Sequence, residues 1–307
     1  MISNLDPTSE LFLANVTRIQ ERMAEANRQV TSGRKISQPS DAPDQIDSLL
    51  QLRADQERNK QLQSNLGLES THVQTADGAL TAAIKLLDRA RVLAAQGANA
   101  TGDVSSRQAA AAEVQSLFDQ MISCSRTTVE GRYIFSGDND TAPAYQADAT
   151  SPTGATQLVA ASATRLTQDP GGGAFLTGKT AQEIFDSRNP ADGSPAADNV
   201  FAALNSLKNA LLSGDPTAVL QTTGAIQSAS DHLNLSQSFY GAVQSRISDA
   251  QSFADRYDIE LQTQLSQKQD ADVISAALTL TQSNTQLQAA MQMKASVPHR
   301  SLFDFLG

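Results

Sequence analysis

Residues Val273 to Met293 read VISAALTLTQSNTQLQAAMQM, a stretch without a single charge. Val273, Ala277, Leu280, Leu287 and Met291 fall on a seven-residue repeat, with Asn284 in the same register. A repeat of this period is the seam of a helix that packs lengthwise against another helix. The N-terminal thirty residues carry a matching stripe of Leu5, Phe12, Val16, Ile19, Met23, Ala26 and Val30. Two heptad helices at opposite ends of one chain predict a coiled coil between the termini. One partner helix cannot also cover the uncharged Gln, Ser and Thr face. The segment therefore predicts neighbours from outside the chain, as in a subunit that assembles. Asn284 either marks an imperfect stripe or is a buried amide that fixes register.

The 307 residues leave room for two domains and a sizeable core. Aromatics make up only 5% and Trp is absent, which suits long helices better than a compact α/β enzyme. The net charge of −10 repels phosphate backbones and argues against nucleic acid as a partner. The charge is uneven: residues 1–42 carry five bases and five acids, whereas residues 138–198 carry three bases and eight acids. The middle reads as a solvated surface and the ends as segments buried against neutral partners. One cysteine, Cys124, excludes an internal disulfide. Residues 1–16 lack the basic start and apolar core of a secretory signal. Gln282, Asn284, Gln286, Gln288 and Gln292 argue against membrane insertion of the uncharged stretch.

Outward from the terminal helix, residues 8–31 predict one helix about 36 Å long, with Thr8 or Ser9 as cap and Gly33 as stop. The segment SGRKISQPSDAP, Ser32 to Pro43, has the Gly, Pro, Ser and Asp of a connector with turn chemistry. A long helix follows from Asp44 to Gly97, with a stripe at Leu62, Leu66, Val73, Ala76, Leu80, Ala83, Leu87, Ala90 and Ala94. A reversal through Ala98–Ser105 leads into a third helix reaching about Thr128. Tyr133-Ile134-Phe135 reads as a short β run, and Gln157–Val159 and Ala174–Leu176 as β pieces of an insertion. Helix returns at Asp198–Leu212 and again over Thr217–Lys268, striped from Ile226 to Leu261. The expected fold is mainly α: a long nested helical rod, made of a terminal coiled coil and an antiparallel helical bundle, with a small β-rich insertion at the far tip. The expected domains are 1–43 with 269–307, 44–137 with 198–268, and 138–197.

No acid/base pair, nucleophile elbow or metal cluster emerges, so no enzymatic reading and no cofactor are supported. His72, His232 and His299 are scattered and read as solvent-facing or capping residues. Cys124 reads as a small buried hydrophobe. Arg132 and Tyr133 either begin a strand over the helical hairpin or sit at a subunit surface. There, Arg132 could pair with a neighbour's carboxylate. Phe303 and Phe305 follow Pro298, beyond the terminal helix, and are expected to anchor in a partner protein's groove.

Three stretches resemble the flagellin family. Thr31–Pro43, TSGRKISQPSDAP, is similar to that family's connector. Glu130–Gly137, EGRYIFSG, resembles the segment found in its hook–filament junction branch. The C-terminal Gln286-Leu287-Gln288-Ala289 and Ser301–Leu306, SLFDFL, are similar to the tails of that branch. The opening Met1–Pro7 departs from the common family start, and the insertion 138–198 matches nothing comparable. The resemblance implies a structural adaptor with an inner tube wall of paired terminal helices. It implies a ring of copies between a hook-side junction protein and flagellin, and an extracellular place in the flagellum. It also implies type III export with a chaperone on the C-terminal part. A flagellin filament subunit is the alternative within the family, and a cytoplasmic helical scaffold rod is the alternative outside it.

Overall fold

The computed structural model describes residues 7–98 and 104–296. Leu5, the reversal at residues 99–103, and Phe303 and Phe305 lie outside them. Seven helices are present among the described residues: α1 Pro7–Ser32, α2 Pro43–Ala98, α3 Val104–Ser125, α4 Ala181–Phe185, α5 Val200–Ser213, α6 Pro216–Gln269 and α7 Val273–Ser296. Six short strands pair as three antiparallel ladders. β1 Thr128–Val129 pairs with β2 Arg132–Tyr133, β3 Tyr145–Ala147 with β4 Ala155–Gln157, and β5 Leu166–Gln168 with β6 Ala174–Leu176. The chain divides into two compact units, Asn59–Arg256 and Met1–Arg58 with Tyr257–Gly307.

In the first of these units the heptad stripes become buried faces. Val73, Leu80 and Leu87 of α2 alternate with Ala76, Ala83 and Ala90, and all are at most 2% exposed. Ile226, Leu233, Tyr240 and Ile247 do the same on α6, with Ala229 and Ser236 between them. Large residues facing small ones interdigitate at close range. The two helices run antiparallel. Asn59 Nδ2 donates to the Ala254 carbonyl at 2.8 Å, Gln237 Nε2 to Thr81 Oγ1 at 2.9 Å, and Arg91 Nη1 to Gln227 Oε1 at 2.9 Å. Against α2 lies α3, tied by Arg89 Nε to Glu113 Oε1 at 2.6 Å, and α5 packs along α3. At the far end of α2, a Cβ on Gly97 would overlap Leu211 of α5, with Val219 of α6 close behind.

That packing corrects the expected position of the β-rich part. The far end of the bundle is built from helices α2, α5 and α6. The insertion instead sits against the middle of α2 and α6: Thr177 Oγ1 donates to Glu69 Oε2 at 2.9 Å, and Arg246 Nη2 to Asp169 Oδ2 at 3.2 Å. Six aromatics hold it there. Phe135 meets Phe185 edge to face at 5.7 Å and Tyr240 of α6 at 6.5 Å. Phe201 of α5 contacts Phe118 of α3 at 5.8 Å, Tyr145 of β3 at 5.3 Å and Phe185 of α4 at 5.9 Å. Behind this cluster the fully buried Asp186 carboxylate accepts from Tyr145 Oη, Asn199 Nδ2 and the Arg188 guanidinium, each within 2.9 Å.

Several local expectations shift. Helix α3 ends at Ser125, because Thr127 and Arg126 turn back onto the Cys124 and Ser123 carbonyls. The β run expected at Tyr133–Phe135 is the ladder β1–β2, turning through Glu130 and Gly131, both at positive φ (52° and 77°). That pair of conformations is the two-residue hairpin turn that glycine favours. Ile134 and Phe135 leave the strand and enter the core. The short α4, with a Thr180–Glu183 capping box, was not anticipated.

Two predictions follow from the fold. Leu87→Ala empties a fully buried seam position and should cost about 2–5 kcal/mol in denaturant unfolding; a loss below 1 kcal/mol on this scale would mean the seam is loosely packed. In the β3–β4 turn, the hydroxyls of Thr150 and Thr156 and the Thr150 amide donate to Asp148, pulling its carboxyl from 3.8 to about 2. Because the folded value lies below the unfolded one, this contribution is present above about pH 4. It fades as pH falls through the folded value near 2. A carboxyl titration followed by NMR should show the low midpoint, and an ordinary one would reject these bonds.

Candidate assembly interface

The other unit brings the chain ends together. Helices α1 and α7 run antiparallel: Lys35 N–H donates to the Gln269 carbonyl at 2.7 Å and Ala271 N–H to the Gly33 carbonyl at 2.9 Å. At the opposite end Lys294 Nζ reaches Ser9 Oγ at 3.2 Å and lies over the Phe12 ring at 5.4 Å. Gly33, at φ 67°, closes α1 by donating to the Gln29 carbonyl at 2.9 Å. The connector then folds around Asp41, whose carboxylate accepts from Gln38 N–H at 2.7 Å and Ser37 N–H at 2.8 Å. Those bonds, Gln38 first, hold the Asp41 carboxyl below its ordinary range. Ile36 is buried beneath them.

On α1 the seam is the expected one. Val16 and Ala26 are buried, and Phe12, Ile19, Met23 and Val30 are half-buried. On α7 it is not. Ala276 and Ser283 are buried and Leu280, Leu287, Ala290 and Lys294 half-buried, whereas Val273, Ala277, Asn284 and Met291 are exposed. At 100° per residue the real seam is turned by about 60° from the expected stripe. Asn284 is therefore not a buried amide between these helices. The missed seam residues Ala276, Ser283 and Ala290 repeat every seven residues, but small side chains on an uncharged helix do not stand out as a stripe. Lys294, the sole charge in the helix, was the available signal.

Outside the seam α7 exposes only apolar or uncharged side chains from Val273 to Met293, whereas α1 also exposes Glu10, Arg18, Glu21, Arg22 and Arg28. Leu11 and Leu13 stand out on α1, and Ile274, Leu278 and Met293 on α7. Opposite its seam α7 offers Ile274 and Leu278 near the connector, then Thr281, Thr285, Gln288 and Gln292, all exposed. Among the described residues no helix is long and apolar enough to cross a membrane.

Arg132 and Tyr133 lie in the ladder β1–β2. Arg132 is exposed, and its Nη1 pairs with Asp140 of the same chain at 2.9 Å and 3.2 Å; Tyr133 N–H donates to the Asp140 carbonyl at 2.8 Å. The carboxylate sought across an interface is thus already supplied internally. Asp140 also pairs with Arg165 at 3.4 Å, and Arg165 Nη1 lies 2.7 Å from His72 Nδ1. His72 is buried at 8% exposure, correcting the solvent-facing expectation. Burial alone would raise the neighbouring Glu69 carboxyl, but bonding with His72 and Thr177 outweighs it and lowers it. His232 is largely covered beside Asp198, 3.1 Å away. Cys124 is half-buried, and burial pushes its thiol up. Among the described residues, no group of three His, Cys, Asp or Glu gathers to hold a metal.

The α7 register generates a paired test. Asn284→Leu should change monomer stability by no more than about 0.5 kcal/mol. Ser283→Leu, one residue away and 3% exposed, overpacks the seam and should cost about 1–3 kcal/mol. Denaturant unfolding of both variants checks the order, and the reverse order would restore the expected stripe.

Residues 3–140 match the bacterial flagellin N-terminal helical region, and residues 223–306 match the C-terminal helical region of the same family. The chain is 26% identical over 206 residues to flagellar hook-associated protein 3 of Escherichia coli (strain K12). That match covers 65% of this chain and 63% of the relative. Similar solved structures include a Vibrio parahaemolyticus protein described as flagellar hook-associated, with TM-score 0.64 and 20% identity over 75% of this chain and all of the other. Flagellar hook-associated protein-3 from Legionella pneumophila gives TM-score 0.60 and 15% identity over 70% of this chain and 97% of the other. Both ends of the sequence and the pairing they form lead to one conclusion: the chain belongs to the bacterial flagellin family.

Proposed function

We propose that this protein is a structural adaptor at the hook–filament junction of the flagellum, assembling as a ring through its terminal helices. One observation carries the reading. In a flagellin-family chain, the α1–α7 pair uses a single seam and leaves Leu11, Leu13, Ile274 and Leu278 exposed. A monomer has no use for such faces, whereas a tube wall covers them with neighbouring copies. The segment Glu130–Gly137 and the likeness to hook-associated protein 3 favour the junction over the filament body. On this reading residues 1–43 and 269–307 form the inner wall, 44–137 with 198–268 the rod outside it, and 138–197 the outer surface. The partners are a hook-side junction protein, flagellin and copies of the same chain, with an export chaperone on the C-terminal part before assembly. Val273, Asn284 and Met291, exposed on one flank of α7, become contacts with the next copy.

Immunogold labelling of intact flagella tests the placement. Gold confined to the filament base is expected; gold along the whole filament would identify a filament subunit instead. Amide exchange tests the wall: protection over residues 10–30 and 275–293 should be weaker in the monomer than in α2 and α6, and rise by at least tenfold on assembly. Strong protection already present in the monomer would remove the need for neighbours.

A further inference from the structure

We propose that Ile274 and Leu278 of one copy seat in the groove between α1 and α7 of the next copy. This rests on the reading above that copies assemble through their terminal helices, and it specifies the contact. Ile274 and Leu278 are 76% and 67% exposed, one turn apart on the face of α7 turned from α1. The groove has a volume of about 710 Å³, and its wall on the α7 side is made of short side chains, Ala271, Asp272, Ser275, Ala276 and Thr279. Large apolar knobs and a small-residue hollow are complementary in size.

Two further observations select a second copy as the occupant. That wall spans residues 271–279, the start of α7 and the two residues before it, which bracket the knobs, so knob and hollow lie at one height along the helix. A ring of like copies needs that level match. Because knob and hollow face different directions, the contact is head to tail and can close into a ring. The charges agree as well. The groove is bordered by Glu21, Glu25 and Asp272 against Arg22, Arg28 and Lys35, and Glu25 is already paired with Arg28 and Gln29. With three acids and three bases the groove is neutral overall and meets an uncharged helix without like-charge repulsion; α7 carries no charge from 273 to 293.

The lone Cys124 permits a clean cross-linking test in a Cys124→Ser background. Full-length Ala24→Cys and Leu278→Cys chains are produced together, and oxidised flagella are analysed. A disulfide-linked dimer of the two variants is expected, with none from Leu278→Cys alone. A dimer from Leu278→Cys alone would establish a two-fold contact and overturn the proposal, as would no dimer when both variants are present in flagella. Leu278→Glu supplies an independent arm. It should melt as wild type yet enter flagella at least tenfold less, and wild-type incorporation would also overturn the proposal. Absence of the unsubstituted chain from flagella would instead overturn the junction reading itself.

Discussion

The edge-to-face contacts of Phe135 fasten the chain that follows the first hairpin to α4 and to α6. Ladders of two or three residues per strand have no stability of their own in water. They persist here because Phe135, Tyr145, Phe185 and Phe201 build one aromatic cluster against Phe118 of α3 and Tyr240 of α6. In a chain with so few aromatics this concentration matters. The long helices are sealed mostly by Ala, Leu, Ile and Val, while the rings are spent where irregular chain must be fastened to a helix. The buried Asp186 serves the same junction, fixing Tyr145, Arg188 and Asn199 around one carboxylate.

The helical stripes follow a second rule. Along α2 and α6 a large side chain alternates with Ala or Ser, which allows close approach and a dry seam. The α1–α7 pair keeps the period, Ala276, Ser283 and Ala290 alternating with Leu280 and Leu287, but leaves both leucines only half-buried. Less apolar surface is removed from water per turn, so this pair holds less tightly than the bundle. Under the proposed ring assembly, the exposed faces of the same two helices supply the missing burial when copies meet.

Much of this was legible in the sequence. The stripes of α1, α2 and α6 are legible at most of their described positions, Tyr257 of α6 being exposed instead, because polar and charged residues flank them and leave one face to choose. On α7 that contrast is absent. With no charge from Val273 to Met293, several faces score alike, and the choice falls to α1, whose large side chains need small ones opposite. The insertion's position was hidden for another reason. Its anchors pair residues remote in sequence, such as Thr177 with Glu69 and Arg165 with His72. No local pattern marks His72 as buried until Arg165 arrives from a distant loop. The same holds for Arg132, whose carboxylate partner lies only eight residues away, yet across a turn that the sequence does not draw.

The pairing of Ser9 with Lys294 joins residues 285 positions apart. Closing so large a loop in a disordered chain is entropically costly, and contacts of that separation form late. The cost falls once the intervening helices have condensed and carry the two ends toward each other. Order in time is thus written into the connectivity: the bundle matures first, and the surface with the greatest tendency to stick is completed last. The exposed apolar side chains of α1 and α7 thus take up their final arrangement only when the rest of the chain is already folded.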